Sequence, residues 1–518
     1  MLTPDGGLDA TAVVVRSGRI AYVGDDAHAR ALAPTGAVEI DLEGRLVTPA
    51  FVDAHLHTIQ VGQVTDGLDL HGAPDRTAVL DAVAAYVQDS PGRRVVVGQG
   101  WDERHWPDPT PPTRAELDRA APGVAVYLAR VDVHSAVVSS ALLDRLADVS
   151  GLPGFTAAGW LTQDAHHACR GQMDALFTDA ERRSAARTAL AAAAALGVAA
   201  VHELGGPHLG PLADLGRVRD AGVELGVRVV AYWGELADAE GEVLARARAA
   251  GAVGLAGDLC VDGSIGSHTA ALREPYADHH GAGVRYLDDD AITDHLLACT
   301  RSGVQGGFHC IGDDAVAATV SGLRRAAARL GVDAVRAVRH RLEHVEMVDP
   351  ADLATLAELG VVASVQPAFD AAWGGPGDLY GARLGARATG MNPFGDLHRA
   401  GVRLALGTDA PVTPLAGWAS VRAAVRHHRP DQRLTLLTAL DAATRGAHAA
   451  ARDEESGLLV AGTRADLAVW DTAGLPDFDA DEPAPACLAT VGAGRVLHVD
   501  GGLLGRLDLC PTPRCPPR

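Results

Sequence analysis

At 518 residues, 47% hydrophobic and 21% charged, the chain has material for a large core and a minor second domain. A formal net charge of −21 argues against a nucleic-acid partner, because phosphate binding needs a basic surface. No apolar run reaches the roughly 20 residues of a membrane span, and MLTPDGGLDA has neither the basic nor the apolar region of a signal peptide.

In chain order, TAVVVRSGRIAYVGDD and AVEIDLEGRLVTPAFVDAHLHT read as short strands with Gly and Asp turns, the pattern of a small β-sandwich. The first hairpin begins almost at Met1, so either its leading strand is dispensable or the true start lies upstream. After FVDAHLH, a helical insertion is expected at about residues 60–180, and loops of such length shape substrate access. From ERRSAARTALAAAAALG onwards a helix, a glycine and a short apolar strand repeat. Gly197 stops that Ala-rich helix before VAAVHELGG, and Gly360 and Gly401 precede VVASVQP and VRLALGTDAPV. With FVDAHLH, VRVVAYWG, GDLCVDGSIG, GVQGGFHCIGDD and RHRLEHVEMV, the strand candidates number eight. This predicts an α/β fold, a (β/α)8 TIM-like barrel, over a doubly wound sheet. Short strands return in GLLVAGTRADLAVWDTAG and ATVGAGRVLHVDGGLL. Residues 1–50 and 455–518 are therefore expected to form one composite β-sandwich domain around a barrel at 51–454. The Pro-rich CPTPRCPPR reads as a disordered tail.

Cys169, Cys260, Cys299, Cys310, Cys487, Cys510 and Cys515 are scattered and lack CxxC spacing. That pattern suits a reducing cytoplasm, with no disulfide framework and no thiolate zinc site. All 45 basic residues are arginine, so every lysine-based mechanism is excluded.

A buried parallel strand should be apolar throughout. Here the strands stay apolar until their C-terminal ends, where His55 and His57, His202 and Glu203, Asp262, His309, His344, Gln366 and Asp409 fall. Active sites of such barrels lie at that face. His55 and His57 are two apart on a strand and point to the same side, roughly 7 Å apart at the backbone. An isolated HxH is as readily a satisfied pair of surface or core histidines. Joined by His309, His344 and Asp409 on later strands, it reads as a metal site. Nitrogen and carboxylate donors without thiolate suit zinc first, then manganese, iron or nickel.

Weaker candidates surround this set. His134 in VDVHSAVVSS is a substrate contact or a structural residue, and Trp101, Asp102 and Glu103 in GQGWDERHW line the pocket or pack the insertion. His268, Arg273 and Tyr276 in GSHTAALREPYAD contact substrate or pack their loop. The adjacent pairs His166–His167, His279–His280 and His427–His428 read as solvated.

TPAFVDAHLHT, GQGWDERHWPDPTPPTRAELD, VDGSIGSHTAALREPYAD, GGFHCIGDDAV, RHRLEHVEM and LALGTDAPV together closely resemble the YtcJ-like branch of the amidohydrolase superfamily, which includes N-substituted formamide deformylase. The similarity runs through nearly the whole chain. It implies that His55 and His57 are the first-strand metal pair, His309 the fifth-strand ligand and His344 the sixth-strand histidine. Asp409 matches the eighth-strand aspartate that binds metal and shuttles the proton. Many binuclear relatives bridge their ions with a carboxylated lysine at the end of the fourth strand. Here Asp258 falls at or near that position, and no lysine exists to replace it. Asp258 bridges two ions, Asp262 does so, or the site holds one ion; one tightly held divalent ion, most plausibly zinc, is the expectation.

The function expected is hydrolysis of a small-molecule, non-peptide amide or formamide-like bond by a metal-activated water. Asp409 would act as general base and then acid, with His344 stabilising the oxyanion if it is not a ligand. The alternatives are a hydrolytic deaminase or cyclic-amide ring-opening enzyme on the same scaffold, or a non-catalytic relative used for binding. A homodimer with contacts through the insertion is the assembly the sequence leaves open.

Overall fold

The computed structural model describes residues 1–501 apart from 4, 5, 90, 91, 93 and 481, so CPTPRCPPR, Cys510 and Cys515 lie outside the described residues. Eight parallel strands form one sheet in sequential order. They are β1 (Phe51–Leu56), β2 (Val198–Gly205), β3 (Arg228–Trp233), β4 (Ala252–Leu255), β5 (Gln305–Cys310), β6 (Arg341–His344), β7 (Val362–Val365) and β8 (Arg403–Leu406). The two edges meet just beyond β8. There the Asp409 amide donates to the His55 carbonyl at 2.8 Å, and the His57 amide to the Ala410 carbonyl at 3.1 Å. That approach requires a glycine, because a Cβ on Gly407 would stand 2.6 Å from the His55 backbone nitrogen. The result is the expected TIM-like barrel.

The helices follow from the sequence that precedes each strand. Asp179–Ala195 starts at a capping box, in which Thr178 accepts from the Glu181 amide and the Glu181 side chain reaches back to the cap. Its Ala185, Ala186, Ala189, Leu190 and Ala193 are buried, so a small-residue stripe lets the helix lie close against the barrel. The chain then reverses at Gly197, whose φ is +84°. A Cβ there would also meet the Trp470 ring at 2.2 Å. Fourth in the barrel, β4 is AVGL rather than the expected GDLCVDGSIG, which follows it as irregular chain. That chain rejoins β5 at Leu259–Val261, where the His309 amide donates to the Leu259 carbonyl at 3.1 Å. Asp258 is thereby carried over the barrel mouth.

The termini converge. Leu46–Pro49 pairs antiparallel with Leu467–Trp470, which pairs with Cys487–Gly492 and so with Arg495–Val499. The hairpin Ala12–Arg16 and Arg19–Gly24 packs against this sheet through Ile20, Val47, Leu467 and Val469.

The insertion departs from the helical expectation. Besides helices it holds a five-stranded mixed sheet containing Val95–Trp101, Ala125–Arg130 and Ala136–Val138. VVVGQGW and AVYLAR are apolar runs of strand length, which helix-type composition around them masked. The five described cysteines are all free, as expected.

Candidate metal centre

His55 is the penultimate residue of β1 and His57 follows the strand, so strand alternation sends both rings into the barrel mouth. His309 arrives from β5, His344 ends β6, Asp409 follows β8, and Asp258 comes from the chain after β4. His344 (φ +69°) and Asp409 (φ +54°) both adopt left-handed backbone, a strained conformation that clusters at functional sites.

The six side chains face one another. His57 Nε2 stands 3.0 Å from Asp409 Oδ1 and 3.2 Å from Asp258 Oδ2. His55 Nε2 is 3.3 Å from Asp409 Oδ1 and 3.4 Å from Asp258 Oδ1. The same Asp258 Oδ1 lies 3.7 Å from His309 Nδ1 and 4.0 Å from His344 Nε2. Asp258 thus touches all four histidines. His55, His57 and Asp409 make one group of converging donor atoms, and His55, Asp258 and His344 another. Despite this crowding, His55 Nε2, His344 Nε2, Asp258 Oδ1 and Asp409 Oδ1 are buried without a hydrogen-bond partner. Orphaned buried polar atoms are rare and costly, and four of them converging is what a cation site requires.

The opposite ring nitrogens are all engaged, which sets the tautomers. His55 Nδ1 bonds Glu343 Oε2 at 2.9 Å, and His57 Nδ1 donates to the Leu204 carbonyl at 3.1 Å. His344 Nδ1 donates to Gln366 Oε1 at 2.8 Å, and His309 uses Nε2 against the Gly263 carbonyl at 3.3 Å. Each ring therefore turns its other nitrogen inwards, the arrangement found behind metal-bound histidines. In the neutral ring of His344, whose Nδ1 donates, that nitrogen carries a lone pair, which cannot donate and so removes the oxyanion-stabilising alternative.

Charge follows the same logic. Burial opposes ionisation of Asp409, yet the adjacent His55 and His57 hold its carboxyl well below the usual range. Asp258 is likewise held low against burial by His57, His309 and His55. Burial, with His309 and His55 nearby, pushes His344 down to about 3, so its ring is neutral. The same carboxylates raise His55, His57 (to about 9) and His309 against the effect of burial, so the cluster attracts positive charge, and a divalent cation would take the place of those protons.

Support comes from residues that strand patterning alone did not single out. Glu343 is buried in β6 and held at about 2, against burial, by the Arg341 guanidinium and His55. Arg341 grips both Glu343 oxygens at 2.5 and 2.9 Å and also donates to the Ala54 carbonyl. Asp53 accepts from the Thr408 amide and hydroxyl, tying β1 to the end of β8. The signal was present: Arg341 and Glu343 are charges inside a strand that should be apolar.

The other candidates divide. His134 lies 5.4 Å from the His309 ring, centroid to centroid, and lines both cavities at the centre. Trp101 does not line them. It is fully buried within the insertion between Trp106 and Trp160, with its indole N–H on the Leu128 carbonyl. Arg273 is exposed and paired with Asp349, and His268 is paired with Asp278 and packed on Tyr276. Neither lines the cavities at the centre; the loop contributes Ser264, Ile265 and Gly266 to that lining before His268 and Arg273. Asp262 accepts the amides of Ala271, Ile311 and Gly312, so its oxygens are spent on the backbone, and of the two carboxylates after β4 it is Asp258 that faces all four histidines. His202 is buried against Arg341, and Glu203 accepts the Thr58 amide. His166 and His427 are buried rather than solvated, bonded to the Tyr127 hydroxyl and the Asn392 carbonyl, while His279 and His280 are exposed as expected. Beside the centre, a cavity has an apolar wall of Ile265, Ile311, Phe369, Trp373 and Leu379. Glu346 also lines it, bonded to the Tyr380 hydroxyl at 2.7 Å and pushed up to about 7 by burial.

Comparison with known proteins accords with this geometry. The model of a family described as the amidohydrolase family matches residues 38–498. Protein LONG AFTER FAR-RED 3 of Arabidopsis thaliana is 28% identical over 96% of this chain and 90% of its own length. N-substituted formamide deformylase of Arthrobacter pascens is 24% identical over 89% of this chain and 90% of its own. Among solved structures, an uncharacterised metal-dependent hydrolase from Pyrococcus furiosus superposes with a TM-score of 0.70 at 27% identity. That match covers 89% of this chain and 94% of the other.

Proposed function

Because the chain belongs to the amidohydrolase family, we propose that it is a metal-dependent hydrolase that cleaves a non-peptide carbon–nitrogen bond in a small amide or formamide. The observation that carries this reading is the convergence of four buried, unpartnered donor atoms, from His55, His344, Asp258 and Asp409. They fit a divalent cation of the zinc type, held by His55, His57, Asp409 and Asp258. Asp258, His309 and His344 would be the residues available to a weaker second ion. When bound, such a cation polarises the substrate carbonyl and lowers the pKa of its water from 15.7 towards about 7.

The protein supplies the rest. Asp409, held ionised, would face the cation through Oδ1 and use its other carboxylate oxygen to take the proton from the attacking water and hand it to the leaving nitrogen. Glu343 and Gln366 hold the rings of His55 and His344 in ligand orientation. The wall of Phe369, Trp373 and Leu379 takes the apolar part of the substrate and keeps bulk water away. We take residues 1–50 and 455–501 as one composite unit that braces the barrel, with no part in the chemistry. Among the described residues, no helix is long and apolar enough to cross a membrane, and we place the protein in the cytoplasm.

The test is to load the purified protein with zinc and assay N-substituted formamides and N-acyl amines for carboxylate plus free amine. Release of both products, abolished by chelation, supports the reading. Ammonia release from heteroaromatic amines in their place would favour a deaminase, and inertness towards both classes would overturn hydrolysis.

A further inference from the structure

A second chamber, which shares His134, His309 and Asp409 with the apolar cavity, opens on the same centre. His57, Asp258 and Asp409 of the centre line it together with His167, His208 and Arg170. Arg170 lies in the helix Gln163–Gln172 and is half-buried. Its guanidinium makes no hydrogen bond or ion pair to a described residue. The comparable buried arginines are paired: Arg130 with Asp102, Glu103 and Asp132, and Arg341 with Glu343. An unpaired charge away from bulk water is costly, and a long side chain could relieve that cost by turning outwards.

We propose that Arg170 is a carboxylate-binding subsite, and that the substrate is an amide that also carries a carboxylate group. The inference rests on the hydrolase reading above and narrows its substrate class. Its grounds are geometric. Arg170 shares one chamber with three residues of the metal centre, so a molecule with its amide at the centre presents its other end to the guanidinium. The fork of N–H donors matches a carboxylate. The neighbouring imidazoles do not compete, because burial keeps His166, His167 and His208 neutral, His167 down to about 4. Arg170 also borders a further cavity lined by Gln60 and Gln99. With a net charge of −21 the protein does not attract anions at long range, so selection of a carboxylate has to be local. Its place in the last turn of a helix gives an arginine a modest dipole benefit, but does not require it to face a cavity.

The test separates the subsite from the hydrolase reading. Zinc-loaded protein is titrated calorimetrically with a series of hydroxamates of varied chain length, each ending in a carboxylate or in the matching carboxamide. The hydroxamate engages the metal centre in both forms, and only the far end differs. The expected result is about tenfold or tighter binding of the carboxylate form at the best length. Arg170→Met abolishes that preference without changing carboxamide affinity, which also reports that the variant is folded, and Arg170→Lys retains part of it. Equal affinity of the two forms for the native protein, or a preference that survives Arg170→Met, overturns the subsite while leaving the metal centre intact. Failure of every hydroxamate to bind overturns both.

Discussion

His55 Nδ1 and Glu343 Oε2 lie 2.9 Å apart, and Arg341 clamps the same carboxylate from the far side. The contact joins strands β1 and β6 across the barrel interior and fixes which nitrogen of His55 faces the metal centre. Glu343→Gln is expected to preserve the fold but weaken metal binding about 10- to 100-fold, read by competition with a chromogenic chelator. Glu343→Ala strands the Arg341 charge in the core and is expected to cost about 3–5 kcal/mol in thermal or denaturant unfolding.

Asp409 has an ionised carboxylate with Oδ1 beside His55 and His57. Asp409→Asn keeps the shape and removes the proton acceptor. At saturating metal, kcat is expected to fall about 10²- to 10⁴-fold, with little change in unfolding temperature. Undiminished turnover in a metal-loaded variant would remove the proton-shuttle role.

Asp258 is the one carboxylate that faces all four histidines. Native protein is expected to retain one zinc through dialysis and take up a second only in excess metal. Asp258→Asn is expected to stop at one equivalent or fewer. Stoichiometric uptake of two ions by that variant would show that Asp258 does not bridge.

Acid is expected to destabilise the fold through histidines remote from the centre. The His295 ring accepts the Ala237 amide on Nδ1 and donates from Nε2 to the Leu255 carbonyl; His340 accepts the Gly306 amide and donates to Thr300. Burial lowers both to about 4 from 6.5. The unfolded chain therefore binds more protons between those values, and stability falls as pH drops from about 6.5 to 4. The slope is about 1.4 kcal/mol per pH unit for each ring. His340→Gln offers the same donor and acceptor without titrating, so its melting temperature should fall less steeply than the native one over that interval. Parallel curves would contradict the assignment.

The barrel and the side-chain cluster at its mouth were legible because each announces itself locally. Glycine stops and short apolar strands mark the repeat, and His55, His57, His309, His344 and Asp409 are costly residues at the strand ends. What surrounds the centre was not legible, because its partners come together only through tertiary contacts. Glu343 stands 288 positions from His55, and Arg170 reaches the centre from the insertion, whose strands were hidden within helix-like composition. Trp101 and Arg273 erred the other way. Both sit in motifs of the family, but one packs the insertion core and the other pairs on the surface. A motif marks where the chain is constrained, and does not say by what.

The central claim is that the six-residue cluster holds a catalytic metal, and elemental analysis of the purified native protein tests it most directly. At least one equivalent of a divalent transition metal per chain is predicted, falling towards zero in a His55→Ala/His57→Ala variant that remains folded. A native protein that carries no metal, and takes up none when supplied with zinc or manganese, would contradict the account.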